Sequence, residues 1–136
     1  MKRYAIGAVV GGIVLFLLGY LIYVVILHDP EFARGSASTL AAKAALNLPA
    51  IFLAEVLFGF LLTRGLIKSG AVASVGGSAQ SGALVGGVAG LAIALLIFGT
   101  TELSTAAGVV YEGVTWAIRW GVAAAVIAMV VGKMKD

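Results

Sequence analysis

Four long apolar runs separated by short polar stretches set the pattern of this chain. The first covers residues 4–27; at 1.5 Å per residue it reaches roughly 36 Å, more than the ~30 Å hydrocarbon core of a bilayer. It also outruns the h-region of a signal peptide, and no small-x-small cleavage site follows it, so it reads as an uncleaved span. Pro30 stops it. The second run covers residues 48–67, with Asn47 as the expected N-cap and Pro49 in the first turn, where a missing N–H is tolerated. The third covers 82–101 and the fourth 109–132, joined so briefly that they should be antiparallel neighbours. Between the first two runs, residues 36–43 are Ala-rich and predict a short interfacial helix capped by Ser36. Residues 68–81 are rich in Gly, Ser and Ala and read as a flexible connection. The expected fold is all-α: a four-transmembrane-helix bundle filling residues 1–136 as one membrane domain.

Composition agrees with a lipid-embedded chain. Hydrophobic residues make up 62% and charged residues 11%, against about 25% charged in a soluble domain. The polar stretches are too short to build a separate soluble module. There is no cysteine, which removes disulfides, thiolate metal sites and cysteine nucleophiles from consideration. The net charge of +3 does not point to nucleic acid, because the basic residues form no run and sit in pairs beside the apolar segments. Lys2, Arg3, Arg64, Lys68, Lys133 and Lys135 fall on one side of a four-span arrangement, and Arg34 and Lys43 on the other. The positive-inside rule then gives an N-in, C-in orientation, and a bacterial inner membrane is the expected location.

Small residues recur every fourth position. Gly82, Gly86, Gly90 and Ala94 do so in the third run, Gly113, Ala117, Gly121 and Ala125 in the fourth, and Gly7 and Gly11 in the first. Lipid supplies no hydrophobic force between helices, so close backbone approach must hold them together. These positions are therefore expected at helix–helix contacts, within the bundle or between copies of the chain. In the fourth run Glu112, Trp116 and Arg119 share a face nearly opposite Gly113 and Gly121. An edge helix that buries its small residues would leave Arg119 needing to snorkel, to find a pocket or to meet another subunit.

Candidate chemistry is confined to a few ionisable residues. Glu55 lies within the second run, where a carboxylate costs roughly 2.5–3.5 kcal/mol. It reads either as a proton- or cation-binding carboxylate or as a structural partner for Arg119. Arg119 keeps its charge and is placed in the outer third of the fourth run, flanked by Trp116 and Trp120, which read as headgroup-level anchors able to stack on it. Its options are a lipid phosphate or a carboxylate of Glu55, Glu102 or Glu112, and an inter-helix pair with Glu55 would resolve the two costliest residues together. Glu55, Glu102, Glu112, Arg119, Tyr20, Tyr23 and Asn47 all map to the outer half, and Glu55, Glu102, Glu112, Arg119, Trp116, Trp120, Tyr23 and Asn47 are the candidate ion- or ligand-binding residues. His28, the single histidine, follows the first run as an interfacial residue. Gly11-Gly12 and Gly76-Gly77 lack the following Lys-Ser or Lys-Thr of a phosphate loop. No catalytic, cofactor or metal-ligand motif is present.

The Met1-Lys2 start, Gly19-Tyr20-Leu21-Ile22-Tyr23, Gly99-Thr100-Thr101-Glu102 and Trp120-Gly121 together resemble the layout of small bacterial four-span membrane protein families of unassigned function. The resemblance implies a fold and no activity. Ala54-Glu55-Val56 is similar to the membrane carboxylate segment of small multidrug-resistance transporters, although there the acid lies in the first span. Two functions are expected from these features. One is binding of an ion or small ligand at the outer cluster, serving proton-coupled transport. The other is a structural or accessory role, packing against itself or a larger complex. Membrane lipids are the expected surroundings in both, with no cofactor, no nucleic acid and no enzymatic activity.

Overall fold

The computed structural model describes residues 1–26, 47–102 and 104–135. Helix α1 (Lys2–Tyr20) runs on as a π-helical segment (Leu21–Ile26), followed by α2 (Leu48–Ser69), α3 (Val75–Thr100) and α4 (Ala106–Val131). All four are long and apolar enough to cross a membrane, so the chain is an all-α, multi-pass membrane protein. His28, Pro30 and the helix expected over 36–43 lie outside the described residues.

Side-chain caps set three helix starts. Asn47 Oδ1 accepts from Ala50 N at 3.2 Å, Ser74 Oγ from Gly77 N at 3.1 Å, and Thr105 Oγ1 from Gly108 N at 3.2 Å. Gly70 ends α2 at φ 76°, a left-handed conformation that favours glycine. The flexible connection expected over 68–81 is corrected here: α2 reaches Ser69, a short 3-10 turn covers Ala71–Ala73, and α3 begins at Val75. Burial holds this stretch. Val72 is buried, and the fully buried Ser78 donates its hydroxyl to the Ala71 carbonyl at 2.9 Å. Those contacts offset the roughly 1 kcal/mol that each of Gly76 and Gly77 costs a helix.

The helices form two close pairs, α1 with α2 and α3 with α4, joined chiefly where α1 meets α4. In the first pair a Cβ added at Gly12 would lie 2.7 Å from Val56 Cα, and one at Gly59 would lie 2.6 Å from Gly12 N. Backbone therefore rests on backbone. In the second pair two stripes of α3 meet two stripes of α4. Gly86 and Gly90 receive Trp120 and Trp116, each with its Cγ 2.6 Å from where a Cβ would sit, and Gly82 lies against the Trp120 carbonyl and Ala124. Beside them, Gly113 faces Leu91 and Gly121 faces Ala83. Helix α4 is the most enclosed of the four, so that of the three options open to Arg119 it is a pocket that it finds. Its third flank, carrying Arg119, turns to α1 and α2. Leu15, Leu66, Ala123, Ile127 and Val131 fill the core between the pairs. Arg3 Nε donates to the Val131 carbonyl at 3.2 Å, tying the start of α1 to the end of α4.

Candidate functional site: a buried polar network of α1, α2 and α4

The network begins with a periodicity. Glu55, Gly59 and Thr63 share one face of α2, and Gly59 lets α1 approach so closely that Glu55 is buried against it, 9% exposed. Arg119, 5% exposed, reaches across from α4. Its Nη2 donates to the Leu15 carbonyl of α1 at 3.0 Å and to Glu55 Oε1. The two ions thus form a buried salt bridge between α2 and α4, with an α1 carbonyl as third member.

Helix α1 makes room for the guanidinium and then covers it. A Cβ at Gly19 would lie 3.0 Å from Arg119 Nη2, so any side chain there would press the guanidinium aside by a few tenths of an ångström. One turn on, the Tyr23 ring centroid lies 5.8 Å from Arg119 Cζ, and the Tyr23 hydroxyl donates to Glu112 Oε2 at 2.7 Å. Tyr23 belongs to the π-helical segment, an irregularity frequent at functional sites. Glu112 is buried and lies roughly 10 Å from Arg119 along α4. The series Glu112, Tyr23, Arg119, Glu55 therefore leads from near the start of α4 to the middle of the bundle. Arg119 sits midway along α4, deeper than the outer third expected of it.

Among the described residues, Glu55 Oε2 and Arg119 Nε are buried without a hydrogen-bond partner, as is Thr63 Oγ1 against Gly7. Chemically the site can hold opposite charges together, and it leaves one carboxylate oxygen able to accept a proton or a water hydrogen bond.

Several expected members stand elsewhere. Glu102 is exposed in the connection between α3 and α4, Asn47 is an exposed cap, and Tyr20 is exposed. Trp116 and Trp120 do not stack on Arg119 or stand as headgroup anchors. They stack on each other at 5.9 Å between centroids, with Phe58 of α2 at 5.5 and 5.6 Å, over the α3 glycines. The Leu15 carbonyl, Gly19 and Thr63 were not foreseen. Gly19 and Tyr23, four apart, carried a signal, since together they shape one place on a helix; a backbone acceptor such as Leu15 carries none. Comparison with protein-family models, with curated proteins and with solved structures finds no match.

Proposed function

We propose that this chain is a structural or accessory subunit of a bacterial inner membrane, oriented N-in, C-in, that acts through its outward helix faces on a second copy or a larger membrane complex. The observation that carries this reading is the enclosure of the Glu55–Arg119 pair by α1, α2 and α4. The two ionised groups of this pair balance each other's charge inside it. A buried pair adds little net stability over an apolar contact, but it penalises every packing that separates the partners. It thereby specifies one arrangement of the helices. The faces left over are apolar, with Leu53, Leu57, Phe60 and Leu61 exposed along α2. The orientation is supported by Lys2, Arg3, Arg64, Lys68, Lys133 and Lys135, which share the end that carries both termini.

Ion or small-ligand binding with proton-coupled transport is the second reading, favoured by the unpartnered Glu55 Oε2. Proteoliposomes holding a pH-sensitive dye distinguish the two. The structural reading expects an imposed pH gradient to decay as in protein-free vesicles. Faster decay that disappears in Glu55→Gln overturns it in favour of transport.

A further inference from the structure

At the end of the bundle that carries the termini, a cleft of about 210 Å³ opens between the α2–α3 turn and the last turn of α4. Val72 and Ala128 form a buried apolar floor, the exposed side chains of Val75 and Met129 stand at its sides, and Ala73, Gly132 and Lys133 complete it. We propose that this cleft is a binding site for an anionic phospholipid, taking part of an acyl chain against Val72, Val75, Ala128 and Met129 and the headgroup phosphate at Lys133.

Three properties select that occupant. The side chains that line it are apolar except for Lys133, which matches a molecule with a hydrocarbon body and an anionic head. Among the described residues the surrounding charge has one sign. Lys2, Arg3, Arg64, Lys68, Lys133 and Lys135 lie at this end, and none of the described carboxylates, Glu55, Glu102 and Glu112, does. Basic pockets at the ends of membrane helices attract anionic headgroups in this way. The spacing of the groups along α4 also fits. Met129 and Lys133 are one turn apart, so an acyl chain beside the first puts its phosphate beside the second, as a lipid aligned with the bundle axis requires. Arg3, hydrogen-bonded to the Val131 carbonyl, steadies the end of α4 that presents Lys133.

The test is native mass spectrometry of the full chain in detergent, titrated with phosphatidylglycerol and with phosphatidylcholine of the same acyl chains. Phosphatidylglycerol should bind more tightly. Lys133→Gln should weaken it about fivefold, the loss of one charge near a headgroup, while Arg64→Gln, at the same end outside the cleft, should change it by less than about twofold. Ala73→Phe, which fills the cleft, should weaken both lipids. Lys133 is exposed, so that variant carries the test even where Ala73→Phe fails to fold. Equal binding of the two lipids, or equal losses for Lys133→Gln and Arg64→Gln, would overturn the site and leave a diffuse surface attraction.

Discussion

At the scale of single residues, the decisive fact is that Arg119 is buried with a carboxylate, a carbonyl and an aromatic ring about it. Removing one member of the ion pair leaves the other charge uncompensated, so Glu55→Gln or Arg119→Gln should each destabilise by about 3–5 kcal/mol. The double variant should lose less than the sum, with a coupling above about 1 kcal/mol in thermal melts in detergent. Effects that add to within about 0.5 kcal/mol would mean that the two side chains do not meet. Tyr23→Phe removes the donor to Glu112 and should cost about 1–2 kcal/mol with the ring contact to Arg119 intact. The pair was legible in the sequence because both residues are too costly to leave alone in lipid. The tryptophans were misread because two Trp beside an Arg give the same pattern whether they face headgroups or glycines. What decides is the stripe Gly82, Gly86, Gly90 on another helix, and a single helix does not display its partner.

At the scale of helices, the two pairs rest on glycine, and the glycines differ in what surrounds them. Gly59→Leu and Gly86→Leu would push side chains into the α1 backbone and into Trp120, and each should cost about 3 kcal/mol or more, the upper range for overpacking. Nothing lies within 4 Å of a Cβ at Gly65, so Gly65→Leu should melt within about 0.5 kcal/mol of the unaltered chain or slightly above it. Equal behaviour of the three variants would refute the pairing. Helix number and the α3–α4 partnership followed from apolar length, the fourfold spacing of small residues and the brief connection. The start of α3 did not. Gly, Ser and Ala compose a flexible linker as readily as a tightly packed helix, and only the burial of Val72 and Ser78 separates the two.

At the scale of the whole molecule, basic side chains gather at the end that carries both termini. Single cysteines placed at Ser38, between α1 and α2, and at Ser74, between α2 and α3, meet no native thiol. They should react with an impermeant maleimide from opposite sides of sealed cells, Ser38 from outside; labelling from one side only would overturn the proposed orientation. Four helices were legible because lipid demands long apolar runs; their mutual arrangement was not, since the flank of α4 that meets α1 depends on contacts formed at great sequence separation. That separation has a consequence for biogenesis. Glu55 and its arginine are 64 residues apart, so the first helical hairpin leaves the ribosome with its acid uncompensated, and the balancing charge arrives with the last helix. Until α4 stands beside them, α1 and α2 hold a carboxylate among apolar side chains without its counter-ion, a costly arrangement. Neutralisation of this interior therefore waits on α4, and the two helix pairs are tied together by the same step that balances their charge.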